Sequence, residues 1–216
     1  MSLRLGVLLL SILIIPAIAL GQVNIVNFDF GAVRISCGNG YAYQGAVTDC
    51  PYGYNTQDFD QSPGFGWILG AIVARQLAPT SLEGGSGLTG PDTIFYPPSF
   101  TGMPFNQAVF LQDRGGFVWQ AVNFAAGSYT LSFYLGSRCI YDGNQTVEAL
   151  IDGQVVGTWA LFGCTPFTLQ TAVFTVSNGG NHPVEFLGMN AGDHTAFLSY
   201  VTITPHQEQP RAGSRP

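Results

Sequence analysis

From Asn106 to Thr204 the chain is a succession of short apolar-rich runs parted by turns of glycine, asparagine and aspartate. The runs read AVFLQ, GFVWQAVNF, GSYTLSFYLG, QTVEALID, VVGTWALF, TLQTAVFTV, HPVEFLGM and TAFLSYVTIT, and the turns AAGS, Asp152-Gly153, NGGN and NAGD. Between Gly127 and Gly136, Tyr129, Leu131, Phe133 and Leu135 alternate with Thr130, Ser132 and Tyr134, the two-residue period of a half-buried strand. Asp152-Gly153 between two apolar runs predicts a two-residue hairpin, because both turn positions need positive φ. Many short strands with no helical stretch between them predict an all-β protein, an antiparallel β-sandwich or jelly roll.

The N-terminus has a different character. MSLR precedes an apolar run from Leu5 to Leu20, interrupted by Pro16 and leaving through small residues. That pattern predicts a signal peptide over residues 1–21, with cleavage after Ala19 or Gly21, and a secreted, extracellular or periplasmic protein. The run is too short for a membrane span, so no membrane insertion is expected after cleavage. Loss of Arg4 leaves six Arg against thirteen Asp and Glu, a formal charge of 6 − 13 = −7, and the chain has no Lys. Nucleic acid is therefore not an expected partner, since phosphate neutralisation dominates that affinity.

Glycine and proline are abundant (28 and 13), but 46% hydrophobic and 13% aromatic residues are enough for a core. One domain is expected over residues 22–204, with Val23 to Phe28 as its first strand and a long irregular region at 32–105. The polar, proline-containing tail over residues 205–216 is expected to be disordered. Two motif matches within the irregular region are discounted. Gly85-x-Gly87-x-x-Gly90 is followed by Pro91-Asp92 rather than a helix. Asp58-x-Asp60-x-Ser62 continues with Pro63 where a calcium loop requires glycine. Four cysteines in an exported chain predict two disulfides, and of the three pairings the local ones are favoured, Cys37–Cys50 and Cys139–Cys164.

The order and spacing of NQAVFLQ, GSYTLSFYLG, VEALIDGQVVGTW and GDHTAFLSYVTI resemble the galactose-binding-like jelly-roll domains of secreted bacterial proteins, relatives of carbohydrate-binding modules. The resemblance covers about half the chain closely, and VNIVNFDF resembles the family's opening strand. It implies carbohydrate or a cell-surface glycan as partner. It also implies a structural calcium near Asp29, the only metal or cofactor suggested. In the closing strand, however, Ser199 and Tyr200 stand where the family carries acidic or amide residues, and Asp29 reads equally well as a turn carboxylate.

Catalytic signals are missing from the sequence. There is no G-x-S-x-G elbow, and His182, His194 and His206 show no metal-ligand spacing. The sequence does not pair Asp113, Asp142, Glu148, Asp152, Glu185 or Asp193, and the sequon Asn144-Gln145-Thr146 is read as chance. The expectation is a non-catalytic binding protein, not an enzyme, with a self-associating extracellular matrix protein as the alternative. Sugar binding calls for exposed aromatic platforms and planar polar groups. Trp119 faces away from Val118 and Val122 in GFVWQAVNF, and Tyr134 and Arg138 follow on the next strand. These three, with Asp142, Asn144 and His194 from loops, are the ligand-binding candidates; Trp119 packed beneath the 32–105 region is the competing reading.

Overall fold

The computed structural model describes residues 23–32, 41–44, 56–57, 64–71, 85–91, 93, 96–140 and 143–207. Four short strands lie in the first half: β1 (Tyr41–Gln44), β2 (Thr56–Gln57), β3 (Ile68–Ala71) and β4 (Gly85–Thr89). Eight longer ones follow: β5 (Ala108–Gln112), β6 (Gly116–Phe124), β7 (Gly127–Ser137), β8 (Thr146–Ile151), β9 (Gln154–Ala160), β10 (Thr168–Val176), β11 (Gly180–Gly188) and β12 (Thr195–Pro205). They form a seven-stranded sheet in the order β10-β7-β12-β5-β4-β1-β2 and a five-stranded sheet in the order β3-β6-β11-β8-β9. Pairing is antiparallel throughout except between β1 and β2. This is the all-β sandwich expected from the two-residue periodicity.

The sheets bury their inner faces against each other. Tyr129, Leu131, Phe133 and Leu135 of β7 join Val118, Val122 and Phe124 of β6 in one apolar core. The Phe133 and Phe186 rings meet edge to face at 4.8 Å, and Trp159 closes over Phe133 at 4.9 Å. Asp152 and Gly153 both take positive φ (52° and 73°) in the β8–β9 hairpin, as that dipeptide predicts. In β12 the ladder to β7 shifts between Ser199 and Thr202, and Tyr200, at φ 56°, is the extra residue of a β-bulge.

A second, smaller apolar cluster lies on the outer face of the seven-stranded sheet. Phe105, Phe110, Phe167 and Phe197 form it, with Phe100 and Tyr134 packed on them. The chain over 96–105 crosses this face closely: a Cβ on Gly136 would lie 2.7 Å from Pro98 Cγ. Only glycine fits there.

The opening stretch departs from expectation. Val23 and Ile25 are buried, but among the described residues Val23 to Phe28 forms no strand ladder; its one backbone tie to a strand is Val201 N of β12 donating to Phe28 O at 2.8 Å. The Gln120 side chain does the work of a ladder instead. Its Oε1 accepts from Val26 N and its Nε2 donates to Val26 O, both at 2.9 Å. A primary amide presents an acceptor and a donor side by side in one plane, which is what an extended residue needs, and its second N–H donates to Gly66 O at 3.0 Å. Turns at Asn27 and Phe30, both at positive φ, then end the segment. At the other terminus β12 runs through Pro205, and His206 N donates to Ser128 O at 2.8 Å. The signal-peptide segment and Cys37 and Cys50 lie outside the described residues.

Candidate functional site

One end of the sandwich gathers the polar side chains. Along β5, Val109 and Leu111 point into the main core and Ala108 and Phe110 into the outer cluster, so alternation puts Gln112 on the outer face. Gln112 is opposite Thr195 in the β5–β12 ladder and opposite Gly85 in the β4–β5 ladder. Arg138 follows β7 directly, and its N–H donates to Thr195 O at 3.2 Å. The Arg138 side chain is buried. Its Nη1 donates to Asp193 Oδ1 at 2.6 Å, and Gln112 Nε2 donates to that same oxygen. Asp193 is 53% exposed in its side chain, so the carboxylate bridges a buried cation and solvent. Beside it Thr195 Oγ1 is buried without a hydrogen-bond partner.

The loops that carry these groups are tied down. Gln145 is fully buried, and its Oε1 accepts from Thr146 N, Met189 N and Asn190 N at 2.8–3.0 Å. Its Nε2 donates to His194 O at 2.9 Å. Asp113, at φ 64°, accepts on Oδ1 from Gly192 N at 2.7 Å. The disulfide Cys139–Cys164 stands next to Arg138, and Cys164 N donates to Arg138 O at 2.9 Å. A carboxylate gripped on one oxygen, on loops fixed by buried amides and a disulfide, is a preorganised polar centre.

The residues nominated from sequence divide into three groups. Arg138, Asn144 and His194 do come to this end; Asn144 Oδ1 accepts from Gly163 N at 3.1 Å, and its backbone carbonyl accepts from Asn190 Nδ2 at 2.8 Å. Trp119 and Tyr134 do not join them or each other. Trp119 is half-buried on the outer face of the five-stranded sheet, opposite Glu185 and Ile68, with its Nε1 buried and unbonded. Tyr134 belongs to the phenylalanine cluster on the other outer face, 5.4 Å from the Phe105 ring. The two strands belong to different sheets, a relationship that alternation within a strand does not encode. Asp142 lies outside the described residues.

Asp29 turns its carboxylate back on its own loop, accepting from Gly31 N at 3.0 Å. Ser199 Oγ donates to Gln107 O at 2.8 Å and reaches Asp29 O at 3.4 Å, while Gln107 Nε2 donates to Phe30 O. The carbonyls near Asp29 are thus served by protein donors, and the donor set does not fit a calcium ion. Among the described residues no group of three His, Cys, Asp or Glu converges on a metal position.

Sequence reasoning missed Gln112, Gln145 and Thr195 as site residues and left Asp193 unpaired. The final glutamine of AVFLQ and the aspartate of GDHTAF stand inside the segments that carry the family resemblance, which was the available signal. Gln145 carried none, because a buried amide leaves no periodic mark.

No family model matches the chain, and no curated protein does. Among solved structures, an apo cyclase from Fischerella sp. is similar at 16% identity and a TM-score of 0.55, covering 87% of this chain and 98% of that one. The Fischerella sp. TAU cyclase in complex with (3Z)-3-(1-methyl-2-pyrrolidinylidene)-3H-indole matches at the same identity, coverage of this chain and TM-score. A family 35 carbohydrate binding module from Clostridium thermocellum also matches, at 17% identity over 49% of this chain and 82% of its own. Its TM-score of 0.39 is too low to argue from. The jelly-roll architecture expected from the sequence stands, and at these identities the likeness is one of fold. The expectation of a non-catalytic protein does not stand. The Fischerella structures that share this fold across 87% of the chain are cyclases. The matrix-protein alternative falls with it. The Cys139–Cys164 disulfide is compatible with an extracellular protein.

Proposed function

We propose that the chain is an exported enzyme whose Asp193 carboxylate orients a small organic substrate and exchanges a proton with it at the loop end of the sandwich. The observation that carries this reading is the grip on Asp193: Arg138 and Gln112 hold Oδ1, leaving Oδ2 for a substrate. A carboxylate positioned by two donors and open on its second oxygen is an arrangement that a general acid–base group can use, which supports this reading. The buried Thr195 hydroxyl supplies a further polar group beside it. Substrate class is taken from the fold neighbours: Fischerella cyclases have been solved with indole compounds, among them 4-(1H-indol-3-yl)butan-2-one. Export rests on the signal-peptide pattern of residues 1–21 and on the disulfide.

That butanone is a direct probe, because base-assisted enolisation exchanges the hydrogens beside its carbonyl. In deuterated water the protein is expected to accelerate this exchange, and Asp193→Asn to abolish the acceleration while leaving the folded spectrum intact. Exchange at the background rate, or exchange unchanged in Asp193→Asn, refutes the proposal. Mono- and oligosaccharides belong in the same titration; saturable binding to them without any exchange activity on the ketone also counts against it.

A further inference from the structure

The two sheets end in four edge strands, and three of them are poor templates for a further strand. β2 has two residues and β3 four. β9 is bulged: Ala149 faces Gly157 and Leu150 faces Val155, which leaves Val156 as the extra residue. Short and bulged edges resist pairing with another chain. β10 has neither protection. Its nine residues pair with β7 without a shift and include no charge, proline or glycine. Among the described residues no strand lies on its other side.

The backbone of β10 shows which groups this open edge presents. Along an antiparallel strand, successive residues direct their N–H and C=O to alternate neighbours. Ser128 O accepts from His206 N just beyond β12, and Ser137 N donates to Thr165 O just before β10. Even-numbered residues of β7 therefore face β12, and odd-numbered ones face β10. The β7–β10 ladder sets Leu135 opposite Thr168, Phe133 opposite Gln170 and Leu131 opposite Ala172. The even-numbered residues of β10 are thus spent on β7, and Leu169, Thr171, Val173 and Thr175 turn their N–H and C=O to the open edge. The side chains of the same four residues are exposed, Leu169 at 57% and Val173 at 53%.

We propose that β10 is the seam of a homodimer, two copies pairing antiparallel about a two-fold axis at Thr171. That register sets Leu169 against Val173 of the other copy, twice, and Thr171 against its own copy. Each of these residues carries open-edge backbone groups, so all three facing pairs exchange hydrogen bonds. Exposed apolar side chains meet each other across the seam. The neighbouring register, about Ala172, sets Leu169 against Thr175 and Val173 against Thr171, and leaves both apolar side chains beside hydroxyls. The occupant is a second copy because the sequence Leu169-x-Thr171-x-Val173 is self-complementary about its centre. A chain of net charge −6 also meets itself here without like charges, since β10 has none. Pairing consumes the edge in both copies, so assembly closes at two.

The test uses the exported form of the chain, its disulfide intact, in sedimentation over a concentration series up to about 1 mM. A monomer–dimer equilibrium is expected. Thr171→Pro removes an N–H that faces the open edge and spares the β7 ladder. It acts twice in the dimer, and is expected to raise the dissociation constant at least about tenfold. Leu169→Lys sets an ammonium against Val173 of the other copy, and is expected to weaken the dimer as much while the near-ultraviolet spectrum stays unchanged. Dimers mixed from labelled and unlabelled copies report the register. An intermolecular cross-peak between the α-hydrogens of Gln170 and Ala172, which point to the open edge, is expected. A monomer at every concentration overturns the proposal and leaves the edge to a strand of another protein. A dimer that survives both substitutions, or a cross-peak of Ala172 with its own copy, overturns it as well. None of these readouts involves Asp193, so this seam and the proposed enzyme activity stand or fall separately.

Discussion

Arg138 and Asp193, 55 residues apart in sequence, meet at 2.6 Å with the guanidinium buried and the carboxylate half in solvent. The asymmetry gives the pair two roles. The buried cation gains a counter-charge, and the exposed carboxylate gains a fixed orientation. A hydrogen bond between charged groups contributes about 1.5–3 kcal/mol where burial is good, and exposure of Asp193 brings that down.

Substitution at Asp193 is therefore expected to separate stability from activity. Asp193→Ala removes the acceptor shared by Arg138 and Gln112 and should lower unfolding stability by about 1–2 kcal/mol. Asp193→Asn keeps an acceptor at the same place and should cost less than about 1 kcal/mol. Both should lose proton exchange on the ketone. Urea titration of the two variants checks the ordering, and equal losses would mean that the pair contributes no stability through its hydrogen bonds.

Gln145 is the buried fastener of the same end, and its two ends are not interchangeable. Gln145→Glu keeps the acceptor for Met189 N and Asn190 N but replaces the donor that faces His194 O with a second oxygen. A buried carboxylate facing a carbonyl is worse than a lost bond. Gln145→Glu is thus expected to destabilise more than Gln145→Ala, by about 1 kcal/mol or more. Hydrogen exchange should report it locally: the Asn190 amide loses protection in Gln145→Ala, while Met189, which also donates to Thr146 O, and Phe133 and Leu135 keep theirs.

Much of the fold was legible because it is written in local periodicity. Tyr129, Leu131, Phe133 and Leu135 announced a strand with one buried face, and Asp152-Gly153 announced its own turn. What sequence did not carry was which sheet each strand joins. Trp119 and Tyr134 each face away from the core, as alternation implies, yet the outer faces of a sandwich point in opposite directions. Long-range amide bonds were equally silent. Gln120 replaces a strand partner for Val26, and Gln145 ties the 189–194 turn, but a buried glutamine reads in sequence like a surface one. Asp193 was visible as a residue and invisible as a pair, because its partner arrives only when β7 and β12 lie side by side.

The tryptophans offer a test of that division between faces. Trp67 is almost wholly buried in the main core and donates from Nε1 to Asn27 O at 3.0 Å. Trp119 is half-buried on an outer face, and its Nε1 makes no bond. Trp67→Ala should cost about 3–5 kcal/mol through the cavity it leaves. Trp119→Ala should cost about half as much, since part of its surface is already in water. Neither should alter proton exchange in the protein that remains folded. Chemical denaturation with tryptophan fluorescence measures the two directly, and an equal or larger cost for Trp119 would show that the outer face is as tightly packed as the core.

The disulfide Cys139–Cys164 closes a loop of 25 residues that contains all of β8 and β9. Confining that loop in the unfolded chain contributes about 3.5 kcal/mol on the chain-entropy model. The hairpin does not need the bond to stay in place. Val147, Ala149 and Ile151 are buried in the main core, and β8 is paired along its length with β11. Arg138 is less independent, because it directly precedes Cys139 and its carbonyl accepts from Cys164 N. Replacing both cysteines by serine is therefore expected to lower the melting temperature while the far-ultraviolet spectrum keeps its all-β form. Ketone exchange at Asp193 is expected to fall further than the loss of folded protein explains, since the Arg138 backbone is no longer pinned. Measuring exchange well below the new melting temperature separates the two effects. Full activity in the double-serine variant would mean that Arg138 is held by the sheet alone, and that the bridge serves stability only.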